Sequence, residues 1–306
     1  MLLTSSDNLP TKIVLLGNPG VGKSTIYNTL LGRRASESGV SIAGGLTNAA
    51  RSSPLGRFVY VDTPGIDDVY NCKNATREVS AALRGPCRVK LVFVTTLESG
   101  RVRSGDLATL ATVLDELRHV VGNIDDRYLL IINKCEDSVY NSLLDEFTKV
   151  KTRTRVLAPF KALGGISRFA LIRREPTASG KANVLLRDTN IERLRDVIVA
   201  TPTIKLPYNP ILHLDFTNFG HCKNEIEEDI KVFYNTYDRA LQLNNSRGGI
   251  SDPEYCAPRS LVSEVDGERG LGRFRRGMGK LIELLAGLEP WVGLAQMACS
   301  LVLAFL

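Results

Sequence analysis

The chain has 306 residues, 43% of them hydrophobic and 24% charged, with a formal net charge of +6. That is an ordinary globular composition, long enough for one large or two modest cores. Six scattered cysteines without a CxxC pair, and only three histidines, argue against a zinc site or a disulfide framework. The N-terminus, MLLTSSDNLPT, has no basic flank and no long apolar run, so it does not read as a secretory signal and a cytoplasmic location is expected.

In chain order, residues 12–16 (KIVLL) read as a buried strand, followed by a glycine-rich loop and a helix over 23–31 that Gly32 closes. Residues 47–52 read as an edge strand and 57–61 (RFVYV) as the next strand. A helix is expected over 74–83 and a strand over 89–95. Residues 105–120 place Leu107, Leu110, Leu114 and Leu117 at helical spacing, with Ser104 as N-cap. A strand over 128–132, a helix over 138–150, a strand over 168–172 and a helix over 191–199 follow. Continuous apolar strands alternating with helices imply a three-layer α/β fold with a mostly parallel central sheet.

From Lys149 to Arg187 lysines and arginines face only one acid, Glu175. The segment reads either as a solvated loop and helix face or as a contact for an acidic partner, such as anionic lipid or a protein. No nucleic acid is expected, because only Phe160 and Phe169 are there for bases to stack on. Past Pro207 the rhythm changes. Residues 223–243 form an amphipathic pattern with Ile226, Ile230, Phe233, Tyr237 and Leu241 on one face. Residues 244–263 are rich in Asn, Gly, Ser and Pro and read as a loop or linker, and 281–306 read as a helix that ends almost wholly apolar.

Three boxes carry the chemistry. Gly17-Asn18-Pro19-Gly20-Val21-Gly22-Lys23-Ser24-Thr25 fits the phosphate-loop pattern in its required strand–loop–helix context. Glycines let backbone N–H groups turn inward around phosphate oxygens, and the helix N-terminus adds its positive dipole. Lys23 is expected to reach the β- and γ-phosphates and Ser24 to hold Mg²⁺. This loop form also occurs in nucleotide kinases and AAA-type ATPases, so the later boxes decide.

Asp62-Thr63-Pro64-Gly65 follows the strand RFVYV. A carboxylate at a strand end is where such a fold places its Mg²⁺-linked acid, here through water, and the DxxG form resembles the third GTPase box, whose glycine N–H senses the γ-phosphate. Thr47 lies between the two boxes, as a candidate to complete the Mg²⁺ shell or as an ordinary surface threonine. Asn133-Lys134-Cys135-Glu136 follows YLLII and resembles the fourth box, Asn-Lys-x-Asp, with Glu for Asp. A carboxylate there accepts the N1–H and N2 donors of guanine and repels the unprotonated N1 of adenine. Glu136 keeps that chemistry with one methylene more, and Asp137 next door is the alternative.

DTPGIDD (residues 62–68) together with ESGRVRSGDLATLATVLDEL (98–117) resembles the AIG/IMAP immune-associated nucleotide-binding GTPases, relatives of septins and the chloroplast-import Toc GTPases. The resemblance covers about residues 12–201. It implies a nucleotide-dependent homodimer or oligomer, often at a membrane. The fourth box departs from animal members in having Asn-Lys, and the strand ending at Arg173-Arg174 marks the expected place of a fifth box. The site expected from the boxes comprises Asn18 to Thr25, Asp62, Gly65, Asn133, Lys134 and Glu136 for GTP or GDP. Ser24, Thr47 and Asp62 are expected at Mg²⁺, and Lys23, Thr47 and Gly65 in the catalytic step. Ile66 stands where many signalling GTPases carry a water-orienting glutamine, so intrinsic hydrolysis should be slow. Arg101 and Arg103 are candidates for a cation supplied in trans, or a solvated pair. A GTP-binding scaffold with negligible turnover is the main rival. A kinase or other ATPase fits less well, because no arginine-rich lid is evident.

The expected organisation is an N-terminal tail (1–10), a GTPase domain (11–206), a helical extension (207–243), a linker (244–265) and a basic then hydrophobic C-terminal helix (266–306). Residues 269–280 carry five basic residues and no acid, and 291–306 are sixteen residues without a charge. Sixteen helical residues span about 24 Å, short of a bilayer core of about 30 Å. The tail reads as a helix packed on protein, as a segment dipping into an anionic membrane surface, or as a short anchor.

Overall fold

The computed structural model describes residues 9–37, 49–66, 72–84, 87–144, 149–164, 166, 168–174, 185–186, 191–207, 219–246 and 270–286. In chain order the elements are β1 (Thr11–Leu16), α1 (Lys23–Leu31), β2 (Arg51–Leu55), β3 (Phe58–Asp62), α2 (Cys72–Leu83), β4 (Arg88–Glu98), β5 (Arg101–Val102) and α3 (Ser104–Val121). Then come β6 (Tyr128–Cys135), α4 (Asp137–Leu144), α5 (Lys149–Lys161), β7 (Arg168–Arg173), α6 (Ile191–Ala200), β8 (Ile204–Lys205), α7 (Phe219–Ser246) and α8 (Gly270–Ala286). They divide into two compact units. One comprises Met1–Leu97, Thr112–Cys135 and Ile166–Phe216; the other comprises Glu98–Ala111, Glu136–Gly165 and Thr217–Leu306.

The first unit is built on a sheet in the order β2-β3-β1-β4-β6-β7. All neighbours are parallel except β2, which runs against β3; β8 adds a short antiparallel pairing at the start of β4. The strands are apolar on both faces because helices cover both faces of a parallel sheet. Ile13, Leu15, Val92, Val94, Leu129 and Ile131 form one core with Ile26, Tyr27 and Leu30 of α1 and Leu194 and Ile198 of α6. Leu15 stands opposite both Asp62 and Val92, and Asn133 opposite Thr96. The carboxyl ends of β1, β3, β4 and β6 therefore share one edge, where ligands bind in open α/β sheets.

Helix ends in this unit are closed by side chains from elsewhere. Gly32 ends α1 in the left-handed conformation (φ 66), with Gly32 and Arg33 N–H groups bonded to Thr29 and Asn28 carbonyls. Arg195 of α6 adds a bond to the Leu30 carbonyl (2.9 Å). Two strand lysines do the same for other helices. Lys12 Nζ donates to the Ala82 and Arg84 carbonyls at the end of α2 (3.0 and 2.7 Å). Lys90 Nζ donates to the Val199 carbonyl at the end of α6 (2.8 Å) and to that of Thr201. An ammonium at a helix C-terminus meets orphan carbonyls and the negative end of the dipole.

The second unit is helical. Its α7 buries Ile226, Ile230, Phe233 and Tyr237, the face expected from periodicity, with Leu241 half-buried. The Phe233 and Tyr237 rings stack at 5.8 Å. Phe274, Met278, Leu281 and Leu285 of α8 pack against α7. Arg275 pairs with Glu225 and Asp229 (3.1 and 3.4 Å). Gly277 lets α8 approach the end of α5: a Cβ there would lie 3.0 Å from the Ala162 carbonyl oxygen. Ser99 (φ 50) and Gly100 (φ 73) turn the chain between β4 and β5. Beyond that turn the Val102 N–H donates to the Tyr234 hydroxyl (3.1 Å).

Several expectations are corrected. Of the helix expected over 138–150, the structure describes α4 (Asp137–Leu144) and the start of α5 (Lys149–Lys161), which has Pro159 in its last turn; residues 145–148 lie outside the described residues. The edge strand is displaced to Arg51–Leu55, where β2 pairs with β3 across the Gly56 turn (φ 58). Ser104 lies inside α3; the Arg103 carbonyl accepts the first bonds, from Asp106 and Leu107. Residues 244–246, read as linker, complete α7. The basic run from Gly270 is helical despite its glycines, because α8 packs on α5 and α7. Residues 287–306, the apolar tail included, and most of the linker lie outside the described residues. Replacing Lys90 by Met keeps the stem but strips the charge from two carbonyls. It should cost about 1–3 kcal/mol, seen as a lower urea midpoint with an unchanged m-value.

Candidate nucleotide site

The loop between β1 and α1 is shaped by positions without room for a side chain. Gly17 (φ 141) would put a Cβ 2.2 Å from the Val94 carbonyl oxygen, and Gly22 (φ 95) would put one 2.3 Å from Asn133 Nδ2. Gly22 is also the N-cap of α1, and no side chain caps that end. The helix thus presents its N-terminal donors and dipole to the loop. Lys23 is 6% exposed, and its Nζ donates to the Gly17 and Asn18 carbonyls (2.9 Å each), which sets the ammonium inside the loop. Asn18 and Val21 are buried, Pro19, Ser24 and Thr25 half-buried and Gly20 exposed.

The segment after β3 packs onto this loop. Thr63 donates to the Leu15 carbonyl (2.6 Å). A Cβ on Gly65 would lie 2.5 Å from the Pro19 nitrogen, so only glycine lets the two backbones close. Asp62 is wholly buried. Its Oδ2 accepts from the Ser36 hydroxyl (2.7 Å), while Oδ1 has no hydrogen-bond partner. Burial raises its pKa above the usual carboxylate value; Lys23, then the Ser24 and Ser36 hydroxyls and Arg51, pull it back part of the way. Ile66 is buried.

The end of β6 meets the same loop. Asn133 Nδ2 donates to the Val21 carbonyl (2.8 Å). Lys134, in a left-handed conformation (φ 55), donates through Nζ to the Gly20 carbonyl (2.6 Å). The expected residues Asn18 to Thr25, Asp62, Gly65, Asn133 and Lys134 are therefore brought together. Glu136 is exposed just before α4, where its carbonyl accepts the Tyr140 N–H (2.9 Å). Thr47 lies outside the described residues. Beyond Arg173, where β7 ends, the Arg174 N–H bonds to the Cys135 carbonyl (2.9 Å).

Residues 12–134 match the family model described as 50S ribosome-binding GTPase. The match spans the loop, Asp62-Thr63-Pro64-Gly65 and Asn133-Lys134, which the fold brings to one place. Residues 12–134 carry the P-loop GTPase fold. The chain is 27% identical over 178 residues to GTPase Era of Xanthomonas oryzae pv. oryzae, 56% of this chain and 55% of that protein. It thus spans about half the length of the curated relatives it matches. Among solved structures, Toc33 of Arabidopsis thaliana in complex with GDP and Mg²⁺ is similar at 19% identity and a TM-score of 0.43. It covers 66% of this chain and 90% of that one. NFeoB of S. thermophilus is similar at 13% identity and a TM-score of 0.39, over 95% of this chain and 98% of that one.

Two side chains of the first unit have environments that their sequence positions did not announce. Asn28, in the middle of α1, accepts the Ala35 and Ser36 N–H groups at Oδ1 (2.8 Å each) and donates to the Ser36 carbonyl (2.7 Å). Its signal was an asparagine in a helix interior, an unfavourable place without such bonds. Cys135, the variable residue of the fourth box, is buried, and burial pushes its thiol up to about 11. The folded form thus holds a proton that the unfolded thiol releases at a lower pH. This contribution is intact below the unfolded value, about 8.5, and is lost as pH rises towards about 11. Iodoacetamide should leave Cys135 unmodified in the folded protein at mildly alkaline pH and label it in denaturant, as peptide mass spectrometry would show.

Proposed function

We propose that this chain is a Mg²⁺-dependent, guanine-selective GTP-binding protein that hydrolyses GTP slowly and serves as a nucleotide-dependent switch or self-assembling scaffold of the AIG/IMAP type. The observation that carries it is the convergence of Lys23, Asp62 and Asn133 on one phosphate loop, with Asn133 bonded to the Val21 carbonyl. Lys23 meets the β- and γ-phosphates, and the backbone N–H groups of residues 18–25 cradle them. The residues fit a divalent cation: a buried, unpartnered Asp62 Oδ1 is an acceptor that calls for a donor such as metal-bound water. Ser24 would ligate directly, Asp62 through water, with Thr47 completing the shell. When bound, Mg²⁺ neutralises charge on the phosphates as the γ-phosphoryl group passes to water.

Gly65 offers its N–H to the γ-phosphate, and Ile66, apolar and buried, orients no water, which is the ground for a slow rate. Arg101 is already held in the second unit by Asp238 (3.8 Å) and lies 5.2 Å from the Tyr234 ring. Arg103 is therefore the trans cation in this reading, supplied within a homodimer. Glu136 selects guanine. The GTPase domain is taken as 11–206, followed by the helical extension, linker and C-terminal helix. Among the described residues no helix is long and apolar enough to cross a membrane. The reading is of a cytoplasmic protein whose tail, 291–306, meets an anionic membrane surface or packs on protein.

Calorimetry with GTP, GDP and ATP tests the binding. Lys23→Ala should abolish GTP binding. Glu136→Ala should lose discrimination against ATP, while Asp137→Ala keeps it; the reverse result would move the base contact one residue. Single-turnover hydrolysis that rises per molecule with protein concentration, and flattens in Arg103→Ala, supports activation by self-association. No turnover at any concentration would make the chain a GTP-binding scaffold, the reading that Ile66 favours next. Flotation with anionic liposomes should carry the full chain and not one ending at Leu288; if both stay at the bottom, the tail belongs to a protein interface.

A further inference from the structure

The Asp62 carboxylate is wholly buried, where a polar group without a partner is costly. Its Oδ2 accepts from the hydroxyl of Ser36, 26 residues earlier in the chain and 4% exposed. Ser36 has no regular secondary structure to hold it in place. Asn28 does so instead: the carboxamide grips the Ser36 N–H and carbonyl together, and the Ala35 N–H as well. Asn28 is itself wholly buried and fixed in α1, one turn beyond Ser24. A rigid helix residue thus fixes a loop backbone, and the loop backbone fixes a hydroxyl on the carboxylate.

We propose that Ser36 is a positioning residue for the metal site: it occupies Asp62 Oδ2 and so leaves Oδ1 as the acceptor for water on a bound Mg²⁺. The inference rests on the reading of the G domain given above. The donor type matters. A lysine or arginine at this place would neutralise Asp62 and weaken its hold on a cation, whereas a neutral hydroxyl orients the carboxylate and leaves its charge available. Partners that orient a ligating group directly typically govern metal affinity by about 10- to 100-fold; Ser36 acts one step further out, through Asp62 and its water, so the low end of that range applies.

The test is the Mg²⁺ dependence of GDP affinity, measured by calorimetry on the full chain in excess Mg²⁺ and in excess EDTA. The ratio of the two affinities reports the metal alone. Ser36→Ala should reduce that ratio by about 10-fold and leave the EDTA affinity unchanged. Ser36→Cys, which fills nearly the same space with a much weaker donor, should do the same and serves if the alanine variant fails to fold. An unchanged ratio in a folded variant overturns the proposal. So does an equal loss of affinity with and without metal, since that is what a purely structural serine would give. A wild-type ratio of one, or no GDP binding by the wild type, would instead strike the underlying reading of the site.

Discussion

The first unit hangs on one hydrogen bond, from Asn133 Nδ2 to the Val21 carbonyl at 2.8 Å. It ties the end of β6 to the loop after β1, across the intervening β4. Both residues are buried, so breaking the bond leaves a donor and an acceptor without water or partner. The bond runs so close to Gly22 that any side chain there would collide with it. The loop's left-handed backbone and the strand's asparagine are therefore one constraint. Gly65 against Pro19 closes the loop from the other side by the same rule, with backbone packed where a Cβ would stand.

Lysine does unusual work in this sheet. Lys12, Lys23, Lys90 and Lys134 all spend their ammonium groups on backbone carbonyls. Two of them close helix C-termini, where the dipole is negative, and two line the loop. The physical logic is common to both uses. A long apolar stem crosses the packed edge of the sheet, and the charged head satisfies carbonyls that no N–H can reach. Burial lowers the pKa of Lys90, with Arg57 and Arg168 adding repulsion, and that desolvation is the cost of capping a helix from inside the core.

The helical unit is organised differently. Its centre is the Tyr234 ring, with the guanidinium carbons of Arg101 and Arg155 at 5.2 and 5.5 Å and Asp238 facing both cations. The ring quadrupole and one carboxylate together offset two positive charges. The Tyr234 hydroxyl also takes the Val102 N–H, so one residue of α7 secures the turn, β5 and α5. Arg155, one basic residue of the segment after residue 149, is thus held structurally, and Phe160, one of the segment's two aromatic residues, is fully buried.

The strand–loop–helix alternation was legible in the chain because it is written locally. Apolar runs such as KIVLL and YLLII are short and followed by glycine or polar residues, the local mark of a buried strand, Gly22 and Gly32 bracket α1 within one residue of its ends, and the three boxes follow strands in order. The face of α7 was legible for the same reason, since helical periodicity needs no distant partner. What no local pattern carried were the partnerships between residues far apart in sequence. Asn28 and Ser36 read as unremarkable polar residues until the fold set Ser36 beside Asp62. Arg101 read as an exposed cation until α7 supplied Asp238 and Tyr234. The helicity of the glycine-rich α8 depended on packing against neighbouring helices. Local propensity determined which elements form; the pairing of buried polar groups, which costs too much to leave undone, was decided only when the chain closed on itself.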